Sequence, residues 1–213
     1  MYRYVVFDVD GTILDSEEAN MVSFQRAAEE MLGRKLRYED LAFSLGMLDE
    51  EAYPMIGITD LEQALRLRNR YYAELLHTVR VFDGICEVLE SLRECGICPG
   101  IVTCRTGGEL RRALAPFEGL YDCFGVLSTA ELPARHKPDP EPMEKYLELS
   151  GADPREVLYI GDTEQDLRCA AGAGVDFALA LWGAYTTAGC EGAAYFLREP
   201  REILSLVGGE VKA

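Results

Sequence analysis

The sequence is short of positive charge. Its 213 residues hold 21 lysines and arginines against 37 aspartates and glutamates, a formal net charge of −16. Such a chain repels polymeric phosphate and anionic bilayers at long range, so neither nucleic acid nor a membrane is an expected partner. A small phosphorylated metabolite is still compatible, because a local pocket can be positive inside a negative molecule. No apolar run is long enough to span a bilayer, and no signal-like segment is read ahead of the first strand. A cytoplasmic location is therefore expected. The seven cysteines are odd in number. Cys95 and Cys98 have CxxC spacing, but no second pair completes a zinc site. They are read as buried structural thiols, reduced in the cytoplasm. There is no internal repeat and no low-complexity segment.

What is present is an α/β pattern with a helical interruption. The hydrophobic fraction of 48% suffices for a core, and the length suits one medium domain plus an insert. Val5-Val6-Phe7 reads as a buried strand that delivers Asp8 and Asp10 at its end. Side chains alternate along a strand, so these two carboxylates converge on one side, and Gly11 permits a tight turn. Two acids held together repel unless a cation sits between them or one holds a proton.

From about residue 15 to 79 the periodicity is helical throughout. Asp15 and Ser16 are candidate caps for a helix that stops at Gly33. A shorter helix covers Tyr38 to Leu45, and Pro54 marks a loop or broken helix. Thr59 with Glu62 forms a capping-box pattern. The long helix it opens carries Leu61, Leu65, Tyr72, Leu75 and Leu76 on its apolar face, while Arg66 and Arg70 read as solvated. The α/β alternation then resumes. Helices are expected from Ile85, from a Thr106/Glu109 capping box, from Asp139-Pro140, after Asp162 with Leu167, Ala170 and Ala171 inward, and over Ile203 to Val207. Strands are expected over Ile97–Val102 (weakened by Pro99), Phe124–Leu127, Val157–Ile160, Val175–Leu181 and Tyr195–Phe196.

Alternation of this kind implies a parallel, Rossmann-like sheet with helices on both faces and all its carboxyl ends at one edge. That edge gathers Asp8, Asp10, Thr103, Lys137, Asp162 and Asp166. Asp8-Val9-Asp10-Gly11-Thr12, Ile101-Val102-Thr103, His136-Lys137-Pro138-Asp139-Pro140 and Gly161-Asp162-Thr163-Glu164-Gln165-Asp166 resemble the four motifs of the haloacid dehalogenase superfamily. The helical stretch resembles its C1-type cap. The likeness covers nearly the whole chain and is nearest to phosphoglycolate-phosphatase-like members.

The resemblance implies a catalytic core of residues 1–14 and 80–213, with a small all-α cap of 15–79 hinged near Leu14-Asp15 and Val79-Asp83. It implies a Mg²⁺-dependent phosphatase working through an aspartyl-phosphate on a small phosphorylated substrate. Asp8 would be the nucleophile and Asp10 the general acid and base. Thr103 and Lys137 would bind phosphate, and Asp8, the backbone carbonyl of Asp10, and Asp162 the metal. Asp166 would orient Lys137 or a metal-bound water. Arg105 would reach a second anionic group of the substrate or else pair with Glu109. Cys104 reads as a packed thiol and His136 as a loop residue. A β-phosphoglucomutase-type transfer, a pyrophosphatase or a nucleotidase are the alternatives; a non-catalytic phosphate-binding module ranks last. A monomer or weak dimer is expected.

Overall fold

The structure is a computed structural model that describes residues 1–208; residues 209–213 of the expected core lie outside the described residues. The chain divides into two compact units. One is Met1–Leu14 with the described residues from Val81 onward, and the other is Asp15–Arg80.

The first unit is built on a six-stranded sheet, ordered β5-β4-β1-β6-β7-β8. Its strands are β1 (Tyr4–Phe7), β4 (Cys98–Val102), β5 (Val126–Ser128), β6 (Val157–Gly161), β7 (Asp176–Ala180) and β8 (Tyr195–Leu197). Every pairing is parallel. Val5, Val6 and Phe7 are wholly buried, as a strand covered on both faces requires. The chain runs outward from β1 through β4 to β5, then returns to the other side of β1 for β6 to β8. That reversal is a topological switch point, where open α/β sheets bind their ligands. Pro99 is accommodated inside β4 because its nitrogen faces the β5 side one residue before that pairing begins at Gly100. Only its carbonyl is used there, by Gly125 N–H.

Helices α4 (Ile85–Glu94), α5 (Gly107–Leu114), α6 (Glu141–Ser150), α7 (Glu164–Gly172) and α8 (Ile203–Leu206) connect and flank the strands. On α4 the expected face Ile85, Val88, Leu89 and Leu92 is fully buried. Both hydrogen bonds of the Thr106/Glu109 capping box form at the start of α5. Three expectations shift. Helix α6 starts at Glu141, one residue late, although the Asp139 carboxylate still accepts from the Glu141 amide. On α7, Cys169 rather than Ala171 faces inward. Cys95 and Cys98 are exposed rather than buried, because they flank the turn from α4 into the solvent end of β4; Cys169 and Cys190 are the buried thiols.

The second unit contains α1 (Glu17–Leu32), α2 (Asp49–Met55) and α3 (Leu61–Leu75) with a 3₁₀ turn over Glu39–Ser44. Gly33 ends α1 in the left-handed region (φ 66°). Its core is its own, with Phe24 stacked on Tyr53 at 4.5 Å between centroids. Pro54 lies inside α2, which is a real helix. It is exposed in the last turn, where water can serve the carbonyl it leaves unpaired. The cap of α3 is Asp60, whose carboxylate accepts from the Gln63 amide, rather than Thr59. Ala64, Leu67 and Leu75 supply its buried face, while Leu76 lies 48% exposed past the helix end. Arg66 and Arg70 pair with Glu62 and Glu30 at the surface. Where the chain enters and leaves this unit, β2 (Leu14–Asp15) and β3 (Arg80–Val81) form a two-stranded ribbon.

Candidate active site

The pairing of β1 continues one residue past the strand, because Asp8 N–H donates to the Ile160 carbonyl at 2.9 Å. The backbone then folds on itself. The Val9 carbonyl accepts from the Ile13 and Leu14 amides at 2.9 and 2.8 Å, and Gly11 N–H donates to the Leu14 carbonyl at 2.9 Å. Gly11 has φ 75°, and a Cβ there would overlap the Asp162 carboxylate. Glycine is thus required both by the backbone and by the close approach of the acidic side chain.

Lys137 is the centre of the cluster. It arrives on the loop before α6, its side chain only 3% exposed, and its ammonium lies 2.7 Å from Asp8 Oδ1 and 2.7 Å from Asp166 Oδ1. Asp166 is fully committed. Its Oδ1 accepts from Lys137 and from Tyr159 Oη (2.8 Å), and its Oδ2 accepts from the Thr163 amide and hydroxyl at 3.2 and 2.6 Å. The Thr163 bonds are the capping box of α7, so one carboxylate both starts a helix and holds the lysine. Asp162 accepts from the Thr12 hydroxyl at 3.2 Å.

Asp8, Asp162 and Asp166 each offer an oxygen, and these oxygens all lie within 4.8 Å of one another. Burial pushes Asp8 up to about 7, with Lys137 opposing the rise and Asp166 and Asp10 adding to it. Lost solvation, with Asp166 and Asp8 beside it, holds Asp162 well above the carboxylate range. Burial works against the Lys137 charge too, but Asp166 and Asp8 outweigh it and hold the ammonium well above its ordinary value. Asp166 is pressed upward by burial, yet Lys137, Thr163 and Tyr159 together bring it below the ordinary value.

These shifts have a sign in stability. Between about pH 4, the ordinary carboxylate value, and about 7, the folded chain holds a proton on Asp8 that the unfolded chain releases. Stability therefore falls as pH rises through that window. Asp166, held below its ordinary value, contributes in the opposite sense only near and below that value, while Asp162, raised as Asp8 is, adds a fall of the same sign. Thermal melts in EDTA from pH 5 to 7 are expected to fall less steeply for Asp8→Asn than for the wild type. The difference has a ceiling of about 1.4 kcal/mol per pH unit.

A divalent cation fits this place. The donors are hard carboxylate oxygens, and burial raises both Asp8 and Asp162, with Asp8 adding to the rise of Asp162, which is what an added positive charge relieves. Asp8 and Asp162 are the residues that can hold it, since both oxygens of Asp166 are engaged. The member expected from Asp10 is its backbone carbonyl, not its carboxylate. The Asp10 carboxylate is not in the cluster; it is gripped in two-pronged fashion by Arg105, at 2.7 Å from Nε and 2.6 Å from Nη2. Glu109, the other expected partner of Arg105, serves the capping box of α5. Thr103 is buried at the end of β4, and its hydroxyl accepts from the Arg105 amide at 3.2 Å. Burial pushes the Cys104 thiol up to about 12, the mark of a packed rather than a reactive thiol. His136 is half-buried in the Lys137 loop.

Two contributors escape a reading by motif. Tyr159 looks like one more apolar strand residue, yet its hydroxyl bridges Asp166 and the Val102 carbonyl. The signal was its phenol, which needs a partner once buried. Trp182, in the turn after β7, donates from Nε1 to the Thr12 carbonyl at 3.0 Å.

A parallel sheet with carboxylates and a buried lysine gathered past its carboxyl ends, at the switch point, is the core of an α/β hydrolytic enzyme. The chain belongs to the haloacid dehalogenase-like hydrolase family, whose model matches residues 5–180. It is 26% identical over 208 residues to the pyrophosphatase PpaX of Bacillus velezensis, covering 96% of this chain and 95% of that one. It is 25% identical over 213 residues to the phosphoglycolate phosphatase of Aquifex aeolicus, covering 98% of each. Among solved structures, a subfamily IA, variant 1 hydrolase of the HAD superfamily from Geobacter sulfurreducens matches with a TM-score of 0.70 at 33% identity over 97% of each chain.

Proposed function

We propose that the protein is a Mg²⁺-dependent phosphohydrolase that acts on a small phosphorylated compound through a phosphoryl group carried on Asp8. The observation that carries this reading is the buried Lys137 ammonium, 2.7 Å from both Asp8 and Asp166, with Asp162 in the same carboxylate cluster. An attacking carboxylate needs neighbouring positive charge to approach a phosphate dianion. Mg²⁺, held by Asp8 and Asp162, supplies when bound the second share of that charge.

The chain's own residues do the rest. The free oxygen of Asp8 attacks phosphorus, and the bond from phosphorus to the leaving oxygen breaks. The Asp10 carboxyl gives its proton to that oxygen. Asp10, now a carboxylate, takes a proton from water, whose oxygen attacks the phosphorus and releases Asp8. Lys137 neutralises Asp8 and the transferring group together. The Thr103 hydroxyl, which accepts from a backbone amide, keeps its own hydrogen for a phosphate oxygen. Arg105 occupies both oxygens of Asp10, so proton transfer requires Asp10 to turn away from that partner.

For the substrate, phosphoglycolate is the first choice and pyrophosphate the second. The relatives named above act on these two, and both compounds place a second acid close to the reacting phosphorus. The insertion of the helical unit directly after the Asp10 turn supports its reading as a cap that selects among such compounds.

A phosphate-release screen over phosphorylated metabolites with Mg²⁺ tests the proposal. Release from phosphoglycolate or pyrophosphate is expected, stopped by EDTA and restored by added Mg²⁺. Hydrolysis that persists in EDTA would overturn the metal role. Equal rates across the panel would overturn the substrate choice. Isomerisation of β-glucose 1-phosphate in place of phosphate release would move the protein to the mutases.

A further inference from the structure

The machinery so far uses the ends of β1, β4 and β6 and the Lys137 loop. The turn after β7 has no assigned part, yet it is locked onto the Asp8–Thr12 segment at two points. Trp182 Nε1 donates to the Thr12 carbonyl at 3.0 Å. Beside it, Gly183 lies so close to the Gly11 carbonyl that a Cβ would overlap it. The turn is itself fixed to the sheet. The Gly183 and Ala184 amides donate to the Ala180 carbonyl at 3.2 and 3.1 Å, and the Leu181 amide to the Leu197 carbonyl at 2.8 Å.

From this anchor the contact runs directly to the acidic cluster. Thr12 bonds Asp162 through its hydroxyl at 3.2 Å. Gly11 abuts the Asp162 carboxylate with no room for a side chain between. Asp10 is the residue before Gly11. The Asp10–Thr12 backbone is thus pressed between the Asp162 carboxylate on one side and the Trp182–Gly183 turn on the other.

We infer that Trp182 is a positioning residue for the metal-holding carboxylate pair: its indole N–H fixes the Thr12 carbonyl, and through Thr12 and Gly11 it fixes where Asp162 stands relative to Asp8. The inference rests on the proposed phosphohydrolase reading and adds a residue to it. Groups that orient a metal ligand from behind act on affinity and rate without touching the reacting atoms. Trp182 is also the only tryptophan of the chain, so the residue that would do the positioning also reports on it.

The test begins with the wild-type protein. Mg²⁺ is added to the metal-free chain, and binding is followed by tryptophan fluorescence and, separately, by calorimetry. The fluorescence change is expected to saturate at the same Mg²⁺ concentration as the calorimetric curve. Trp182→Phe keeps an aromatic ring and removes the donor. Calorimetry is expected to give it about tenfold weaker Mg²⁺ binding, with kcat lowered and KM for the phosphorylated substrate within about twofold. Gly183→Ala, which pushes on the Gly11 carbonyl, is expected to move the same two quantities the same way.

A merely structural role would lower the melting temperature and leave Mg²⁺ affinity and kcat of the folded protein unchanged. That result, in both variants, would overturn the inference. So would a fluorescence that ignores Mg²⁺ while calorimetry detects binding. If calorimetry detects no Mg²⁺ in the wild type, the metal reading itself falls and takes the inference with it.

Discussion

Asp8→Asn is expected to reduce phosphate release by about 10⁴-fold or more, the scale seen when a covalent nucleophile is removed. The amide is nearly the same shape, and its carbonyl oxygen can still accept from Lys137, so the site is not emptied. What disappears is the negative oxygen proposed to attack phosphorus. The same change is expected to leave the metal-free protein as stable as the wild type or more so. Burial and the nearby Asp166 and Asp10 already oppose the Asp8 charge, and Lys137 keeps its second partner, Asp166, at 2.7 Å. The pairing of near-total inactivity with an undiminished melting temperature separates a chemical role from a structural one. Rate measurements with thermal melts in EDTA check it. Activity within about 100-fold of wild type would place the covalent step on another residue.

Lys137→Ala is expected to fail in both respects. Removing one partner of a buried ion pair costs about 3–5 kcal/mol, because the other charge is left uncompensated. Here two carboxylates lose their shared cation, and Asp162 stands in the same cluster. Asp166 keeps Thr163 and Tyr159, which limits the loss on that side; Asp8 has no such reserve in the bonds described above. The rate is expected to fall by about 10²–10³-fold, the usual effect of deleting one group that stabilises transition-state charge. Lys137→Met restores bulk without charge and is expected to recover part of the stability and none of the rate. Mg²⁺ is expected to stabilise Lys137→Ala by more than it stabilises the wild type, since it supplies the missing charge to Asp8. Urea unfolding with and without Mg²⁺ reads this directly. An alanine variant as stable as wild type in EDTA would mean that Asp8 and Asp166 do not depend on the lysine.

Much of this was legible in the chain because it is local. Thr106 and Glu109, three residues apart, find each other without help from the rest of the fold. Gly33 and Gly151 end helices by their own backbone preference. The gathering of Asp8, Lys137, Asp162 and Asp166 followed from the strand and helix alternation, which puts all carboxyl ends at one edge. What was not legible depends on the third dimension. Thr59 and Asp60 are both good caps, and only the helix register chooses Asp60. Cys95 and Cys98 look buried in an apolar neighbourhood, but they sit where the chain rounds the outside of the sheet. Arg105 had a carboxylate four residues away in Glu109, yet it pairs with Asp10, at a separation of 95 residues. Trp182 and Tyr159 act through single polar atoms on otherwise apolar side chains, which a hydrophobic pattern cannot distinguish from packing.

The position of the helical unit within the chain bears on how the protein is made. Asp15–Arg80 is an unbroken stretch with a core of its own, so all of its contacts are available once those residues have left the ribosome. The sheet is different. Its central strand, β1, precedes the helical unit in the chain but needs β4 and β6 as neighbours, and β6 ends at Gly161. Until those strands are made, the chain carries a completed helical bundle after a bare apolar strand whose edges wait for partners as far on as Cys98 and Val157, the kind of exposed segment that chaperones exist to shield. The arrangement that places Asp8 at the heart of the sheet also has it synthesised well before it is enclosed.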